Sequence, residues 1–430
     1  MIASDKIPDT FCTIPWSSIE INNLGYFRVC CVSNSVNDNQ GIGKDSNGEW
    51  MHVLTHDIVD SLNSDLHHSI RAAQLQNKEH VNCKTCRLRE LASNQKTMSK
   101  TRRIFHTVEL NKLTGNKFPL WETVNADQEL WKKGPISIDL KLGNICNLTC
   151  AHCDPINSSQ WVDIWAEANA GLENTASQRV GATPRLYFSK KNNGKFEIKE
   201  TNWMHDERWH NQFKKISRQL VHIYVTGGEP MLVPWHGEML DYLVSENLSQ
   251  NIVLEYDSNF TAINDNIVEK FKNFKSVVIR VSLDGIQDTY EWVRYPGQWL
   301  KVEKNVLQHK LMIKEITGCL MPYNAWNLVE AEKWRVVNNL KSTWRFIMTP
   351  DHLNLRFFPK RMKEELIEIY RSLSTPECKK AANYLEQSFG EEDYVHVQNF
   401  IRWAEILSKN RKKDWKETFP DLARNLQSYI

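Results

Sequence analysis

Three cysteines within eight residues, directly after a strand-like stretch, constrain this chain more than any other feature of its sequence. The residues Cys146-Asn-Leu-Thr-Cys150-Ala-His-Cys153 form a C-x3-C-x2-C motif, and residues 136–142 before it alternate apolar and polar side chains. Thiolates this close in sequence can converge on one small inorganic core, and three of them leave a four-metal cube one ligand short. A zinc site is the alternative, but structural zinc needs four closed ligands and His152 is poorly placed to add one.

Strand and helix patterns alternate after this motif. Further strands are predicted at 221–225, 252–256, 277–283 and 343–348, with helices near 235–247, 262–273 and 298–313. Alternation of this kind predicts parallel βα units and an α/β fold. Beyond about residue 355 the chain is charged, periodic and helical.

Polar residues follow three of the predicted strands. The stretches are Thr226-Gly227-Gly228-Glu229-Pro230, Ser258-Asn259-Phe260-Thr261 and Ser282-Leu-Asp284-Gly285. Because parallel strands end at one edge of a sheet, where α/β barrels place their active sites, these side chains are candidates for binding. Glycines let the backbone approach a ligand closely, and a carboxylate suits a positively charged group. Each stretch by itself is equally compatible with an ordinary turn.

The N-terminal part of the chain holds a second group of cysteines: Cys12, Cys30, Cys31, Cys83 and Cys86. Residues 17–31 predict a β-hairpin and residues 56–78 a helix, while the basic run 96–103 is typical of a solvated helix face. A hairpin turned at Asn193-Gly194 is predicted within residues 185–200. It belongs to a long insertion of the kind that builds a lid or a substrate wall.

Length and charge exclude several classes of protein. A chain of 430 residues predicts two or three domains, and a net charge of +2 gives no pull toward nucleic acid or anionic membranes. No apolar run approaches the roughly 20 residues of a membrane span, and the first ten residues do not resemble a secretory signal. We therefore expect a cytoplasmic protein whose ten cysteines serve metal or redox sites rather than disulfides.

The cysteine loop resembles the signature of the radical S-adenosylmethionine (SAM) superfamily. In that family three cysteines bind three irons of a [4Fe–4S] cluster, and SAM chelates the fourth iron. The resemblance implies that Cys146, Cys150 and Cys153 are the catalytic cluster ligands. It also implies a set of SAM-binding residues: His152 near the adenine, Gly227, Gly228 and Glu229 of a GGE motif, Asn259, Ser282, Asp284 and Arg294. The glycine that often follows the residue matching Asn259 is missing here.

A second resemblance concerns the N-terminal cysteines. Cys12-x12-Gly25-x4-Cys30 is similar to the opening half-motif of SPASM and twitch domains, which carry auxiliary iron–sulfur clusters. Cys83 and Cys86 would complete four ligands, with Cys31 as a spare, because adjacent side chains in a strand point to opposite faces. Four thiolates suit zinc equally well, so an auxiliary [4Fe–4S] cluster and a zinc site both stay open. Twitch-type domains usually follow the barrel in sequence, whereas these cysteines precede it.

These resemblances imply the organisation of the whole chain. Residues 135–350 are expected to form a partial (β/α)6 TIM-like barrel with an insertion at 155–220. The other parts are a cysteine-rich twitch-like domain at 1–105, a linker at 106–134 and a C-terminal helical extension at 351–430.

The implied activity is reductive cleavage of SAM to a 5′-deoxyadenosyl radical, with electrons from a donor such as flavodoxin or ferredoxin. The substrate is expected to be a peptide or protein; a sugar, nucleotide or cofactor precursor is the alternative. A zinc-stabilised binding protein without catalysis is the alternative of another class. Cys319 is expected to be an inert buried thiol rather than a radical partner.

Overall fold

The computed structural model describes residues 7–33, 41–87, 107–168, 189–190 and 196–430. The predicted basic run at 96–103 and the turn at Asn193-Gly194 lie outside these ranges. Within the described ranges, every helix is too short or too polar to cross a bilayer.

The strands alternate with helices over most of the chain. The strands are β1 (Ser18–Ile21), β2 (Phe27–Arg28), β3 (Ser137–Lys141), β4 (Ser189–Lys190), β5 (Phe196–Glu197), β6 (His222–Thr226), β7 (Val253–Ser258), β8 (Ser276–Ser282), β9 (Ile313–Leu320) and β10 (Ser342–Phe346). The α-helices up to the end of the sheet are α1 (Ile14–Ser17), α2 (Ile58–Ser61), α3 (Asp65–Leu75), α4 (Leu110–Thr114), α5 (Trp121–Ala126), α6 (Trp161–Ala168), α7 (Glu207–Ser217), α8 (Pro234–Ser245), α9 (Asp265–Phe271), α10 (Gln287–Val293), α11 (Trp299–Gln308) and α12 (Leu328–Val337). The C-terminal helices are α13 (Lys360–Arg371), α14 (Pro376–Glu386), α15 (Tyr394–Arg411), α16 (Trp415–Thr418) and α17 (Pro420–Asn425). Short 3₁₀ turns include Lys199–His205 and Pro230–Leu232.

One eight-stranded sheet organises the molecule, in the order β10-β9-β8-β7-β6-β3-β1-β2. Within this sheet β1 pairs in parallel with β3, and the strands β3, β6, β7, β8, β9 and β10 each pair in parallel with the next. The β1–β2 hairpin is antiparallel. The predicted α/β class, the N-terminal hairpin and the parallel βα units are thereby confirmed. Six of the parallel strands, β3 and β6 to β10, supply the six units expected of a partial barrel.

Four features differ from the prediction. β9 occupies residues 313–320, where no strand was predicted, and the predicted helix at 298–313 ends instead at Gln308. β1 pairs in parallel with β3, so the sheet continues into the N-terminal part of the chain. The residues predicted as a linker contribute the short helices α4 and α5 to the fold.

The two faces of the sheet differ in polarity. Ile138, Leu140, Ile223 and Val225 are fully buried in the main hydrophobic core, which also contains residues of the surrounding helices. Since side chains alternate along a strand, the intervening residues point to the other face, and many of them are charged. We call this side the charged face, and its described members include Glu20, Asp139, Lys141, Tyr224, Glu255, Asp257, Arg280 and Glu315.

The C-terminal helices complete the same core. Val397, Phe400, Ala404 and Leu407 of α15 are fully buried and belong to the core that includes the sheet. Their spacing of three and four residues places them on one face of the helix. The C-terminal helices therefore pack against the αβ body.

Candidate iron–sulfur and SAM site

The cysteine loop leaves the end of β3 and is held by backbone hydrogen bonds. The amide of Thr149 donates to the carbonyl of Tyr295 (2.6 Å), and the amide of Ala151 donates to the carbonyl of Val293 (2.8 Å). These acceptors flank Arg294, so the loop is fixed to the segment that carries this predicted site residue. Cys150 lies between the two anchored residues and Cys153 follows Ala151 by two positions, so the anchoring positions these two cysteines most directly.

The three thiols lie close enough to influence one another electrostatically. Burial raises the pKa of Cys146 to about 12, with a further contribution from Cys150. Burial raises the pKa of Cys153 as well, helped by Asp154, Cys150 and Cys146. A buried group of converging thiols is stable in its thiolate form only when a metal supplies positive charge. The donor set therefore fits a metal cluster with three cysteine ligands, as the sequence predicts.

Two polar side chains approach the sulfurs, one from the end of β7 and one from the end of helix α10. Asn259 Nδ2 lies 3.9 Å from Cys146 Sγ, and Arg294 Nη1 lies 3.8 Å from Cys150 Sγ. Hydrogen bonds to cluster sulfurs adjust reduction potential and orient ligands. The structure thus brings Asn259 and Arg294 to the cysteines themselves, and their predicted contacts with SAM stay predictions.

The Gly227-Gly228 pair packs directly beneath the loop. Gly227 has φ of +124°, a conformation that side chains disfavour, and the Gly228 amide donates to the Gly143 carbonyl (3.1 Å). A Cβ on Gly228 would overlap the carbonyl group of Ile145. Here the glycines are required by the close approach of two backbone segments.

Replacing Gly228 by alanine should therefore displace the cysteine loop. We expect a loss of about 1–3 kcal/mol in the free energy of unfolding, because the added methyl group meets backbone that cannot rotate away. Denaturant unfolding and iron content after reconstitution measure the effect. Gly237→Ala is the matched control, since the nearest atom to its Cβ is the Lys270 Nζ at 4.0 Å. Equal stability and iron content of the two variants would contradict this account.

Glu229 is completely buried, and protein groups hydrogen-bond its carboxylate. Its oxygens accept hydrogen bonds from the Ser258 hydroxyl (2.8 Å) and from the backbone amide of Asn259 (2.7 Å). Burial raises its pKa to about 7 despite these hydrogen bonds. Glu229 therefore joins the end of β6 to the end of β7, while its predicted contact with the SAM amino group stays a prediction.

Phe260 explains the missing glycine after Asn259. It adopts φ of +61°, the left-handed conformation that glycine usually supplies, and its side chain is fully buried. Its amide is bonded to Ser258 Oγ (2.9 Å), and its carbonyl accepts from Asn305 Nδ2 (2.9 Å). The turn geometry is thus retained at this position by packing and hydrogen bonding instead of by glycine.

Asp284, Arg294 and His152 form one buried group beside the cysteine loop. Asp284 Oδ2 lies 2.8 Å from Arg294 Nη2 and 3.7 Å from His152 Nε2. Burial by itself lowers the pKa of Arg294, but the negative charge of Asp284 outweighs this effect and the pKa of Arg294 is raised. Asp284 Oδ1 accepts from the Cys319 amide (2.7 Å), and the thiol of Cys319 completes a group with His152 and Asp284 whose ligand atoms lie within 4.8 Å of one another. Ser282 ends β8 and is half-buried, and its predicted role is not tested by these contacts.

The N-terminal cysteines also converge. Burial raises the pKa of Cys30, and the other contributions come from Cys31, Cys12, Cys83 and Cys86. Burial raises the pKa of Cys31 to about 12, and the negative charges of Asp139 and Glu20 on the charged face raise it further. Its side chain is nevertheless exposed to solvent. The structure therefore places Cys12, Cys30, Cys83 and Cys86 together and directs Cys31 toward the sheet.

The charged face contains two groups of ion pairs and hydrogen bonds, one around Glu20 and one around Arg280. Lys141 Nζ lies 2.7 Å from Glu20 Oε1, and the Tyr224 hydroxyl donates to Asp257 Oδ2 (2.5 Å). Arg280 of β8 pairs with Glu255 and Asp257 of β7 and with Glu315 of β9. These residues lie on the strands that end at the cysteine loop and at Asn259, so a molecule bound at that edge meets a polar surface.

Three residues at the cysteine loop escaped the sequence analysis. Trp161 Nε1 donates to the Cys150 carbonyl (3.2 Å), Trp403 Nε1 to the Ala151 carbonyl (3.0 Å) and Arg411 Nη2 to the Thr149 carbonyl (2.9 Å). Trp403 and Arg411 lie 252 and 262 residues away from their acceptors, so no local pattern could reveal them.

Comparison with known proteins defines the class of this site. Residues 140–330 match the model of the Radical SAM superfamily. This segment contains the cysteine loop and all three polar strand ends, so the candidate site lies within the matched region. The class that it resembles is that of iron–sulfur enzymes that depend on SAM. A search of curated proteins gave no match.

Solved structures of radical SAM proteins resemble the chain over part of its length. They include anSMEcpe with bound AdoMet (17% identity, TM-score 0.37, 55% of this chain and 58% of that one). Another is Streptococcus suis SuiB bound to S-adenosylmethionine (14%, 0.35, 63% and 58%), and a third is the methyltransferase TsrM from Kitasatospora setae (10%, 0.30, 51% and 35%). The chain thus spans about three fifths of the length of the first two.

Proposed function

We propose that this protein cleaves SAM reductively at a [4Fe–4S] cluster held by Cys146, Cys150 and Cys153, and uses the radical to modify a peptide or protein. The observation that carries the proposal is the convergence of these three thiols on one loop of the radical SAM domain, at the edge where β6, β7 and β8 end. When bound, the cluster supplies one electron to the sulfonium of SAM, which breaks the C5′–S bond and yields methionine and a 5′-deoxyadenosyl radical.

The residues of the chain provide the surroundings of that reaction. Thr149 and Ala151 are held to the Val293–Tyr295 segment, which fixes the spacing of the ligands. Asn259 and Arg294 place hydrogen-bond donors beside the sulfurs, and Gly227-Gly228 lets the loop approach β6. Burial of this site keeps water from the reacting groups.

The proposed substrate class rests on two features. The charged face offers alternating carboxylates, cations and a tyrosine hydroxyl, which suit a substrate rich in hydrogen-bonding groups such as a peptide. The gathered Cys12, Cys30, Cys83 and Cys86 support an auxiliary metal site of the twitch type, with iron–sulfur or zinc as its occupant. An electron donor such as flavodoxin or ferredoxin, and a reducing cytoplasm that keeps the thiols available, complete the proposal.

Anaerobic reconstitution tests the proposed activity. The full chain is incubated with iron, sulfide, SAM and dithionite, and 5′-deoxyadenosine is measured by mass spectrometry. We expect a brown protein that absorbs near about 400 nm and releases 5′-deoxyadenosine, because a three-cysteine cluster leaves one iron open to SAM. A colourless zinc protein without this product would overturn the proposal in favour of a non-catalytic binding protein.

A further inference from the structure

The C-terminal helix α15 reaches the cysteine loop from outside the radical SAM domain. Trp403 and Arg411, two turns apart on this helix, donate to the carbonyls of Ala151 and Thr149. Trp403 also stacks on Trp161 with ring centroids 5.4 Å apart, and Trp161 donates to the Cys150 carbonyl between them. Three consecutive carbonyls of the loop are therefore bound by side chains.

This arrangement fixes both edges of the loop. On one edge the amides of Thr149 and Ala151 are bound by the Val293–Tyr295 segment, and on the other edge the carbonyls are bound by Trp161, Trp403 and Arg411. A segment bound on both edges keeps its geometry when a ligand arrives, which is what precise metal coordination requires. Helix α15 supplies two of these three side-chain donors.

The guanidinium of Arg411 is unusual because it is buried without a carboxylate partner among the described residues. Its side chain is 5% exposed and lies over the Trp292 ring at 4.2 Å. Within the described part of the chain, its Nε and Nη1 atoms have no hydrogen-bond partner. Burial lowers the pKa of Arg411 to about 10, so it is still charged at neutral pH.

A buried cation of this kind is costly unless an anion offsets it. The anionic groups that raise the pKa of Arg411 are the ionised forms of Tyr323, Cys150 and Tyr295. Of these, Cys150 is the group that becomes negative when it binds a metal. The Arg411 guanidinium binds the carbonyl of Thr149 (2.9 Å), the residue directly before Cys150, so its positive charge lies next to this proposed cluster ligand.

We infer that Arg411 is a positioning residue of the cluster site, which holds the Thr149 carbonyl and provides a positive charge for the Cys150 thiolate, so that helix α15 belongs to the cluster-binding machinery. This inference rests on the proposed function, since it requires a cluster at Cys150. Reduction adds negative charge to a cluster, and a nearby cation stabilises the reduced form.

Two substitutions of Arg411 separate charge from hydrogen bonding. Arg411→Gln removes the charge, and we expect its reduction equilibrium to shift about tenfold toward the oxidised form, a fall of about 59 mV in midpoint potential for one electron. Arg411→Lys keeps the charge but has a shorter reach to Thr149, so we expect a smaller shift in potential and faster loss of iron to a chelator. Spectroelectrochemistry and iron release measure these effects on the reconstituted full chain.

Arg402→Gln is the matched control, because Arg402 is exposed on the same helix. It should leave the potential, the iron content and the unfolding temperature as they are in the wild type. If Arg411→Gln and Arg402→Gln have equal potentials, the inference is overturned. If the Gln variant does not fold, a Lys variant that matches the wild type in both potential and iron release overturns it equally. A wild-type chain that binds no cluster would instead refute the proposed function itself.

Discussion

Replacement of Cys150 by alanine is expected to abolish SAM cleavage. Cys150 is the middle ligand of the loop, it is buried, and the Arg294 guanidinium lies 3.8 Å from its sulfur. Two remaining thiols cannot hold a four-iron cube in place, so the variant should lose about four irons per chain. Release of 5′-deoxyadenosine in the reconstitution assay should fall to the level of a sample without protein.

Cys378→Ala is the matched control for this experiment. Cys378 is also a fully buried thiol, but it lies in α14, where its backbone amide donates to the Thr375 hydroxyl at the start of the helix. The control should keep its iron and its activity, with a small loss of stability from the removed sulfur. The assignment of the cluster is wrong if the Cys150 variant still releases 5′-deoxyadenosine at the rate of the control.

The parts of the site that sequence predicts are those that depend on short local patterns. Cys146, Cys150 and Cys153 lie within one loop, and the polar stretches that begin at Thr226, Ser258 and Ser282 each follow a run of β-branched residues. Because the strands pair in parallel, their carboxyl ends lie at one edge of the sheet. This is why the sequence predicts Asn259 beside the cysteines, whereas Arg294 follows helix α10 and is implied by the family resemblance alone.

Strand β9 shows what a period-two pattern cannot reveal. Its inward side chains belong to the charged face, where Glu315 pairs with Arg280 and accepts from the Thr343 hydroxyl. Its outward residues alternate with these polar ones, and Gly318 interrupts the run because a Cβ there would meet the Trp344 ring. A strand whose polar face is satisfied by other strands carries too few apolar residues to be recognised by itself.

The exact conformation of the site depends on contacts distant in sequence. Phe260 takes a glycine-like conformation because buried packing and Asn305 stabilise it, and neither is visible in the turn sequence. Trp403 and Arg411 read as parts of an amphipathic helix, since nothing near them in sequence marks their acceptors. The proposed ligands of the loop are thus close together in sequence, whereas the residues that hold the loop in place are distant in sequence.

The two cysteine sites are connected through the sheet. β1 leads into the hairpin that carries Cys30 and Cys31, and it pairs in register with β3, which leads into the cysteine loop. Glu20 of β1 contacts both Arg28 of β2 and Lys141 of β3, and these cations lower its pKa although burial opposes them. An N-terminal metal site would therefore lie beside the charged face, with Cys31 between them.

Alanine substitutions of the neighbouring Cys30 and Cys31 are expected to have opposite outcomes. The pKa of Cys30 is raised in part by Cys12, Cys83 and Cys86, whereas the pKa of Cys31 is raised in part by Asp139 and Glu20. Cys30→Ala should therefore remove the N-terminal metal, which is about four irons if the site holds an auxiliary cluster and one zinc if it holds zinc. Cys31→Ala should keep that metal. Elemental analysis of iron and zinc on the reconstituted chain distinguishes the two occupants.

The same pair of variants also tests whether the two sites act separately. The cysteine loop is anchored by Val293, Tyr295 and helix α15, none of which belongs to the N-terminal site. Cys30→Ala should therefore still release 5′-deoxyadenosine from SAM, even where modification of the substrate is lost. Metal retained in Cys30→Ala but lost in Cys31→Ala would exchange the roles of the two thiols.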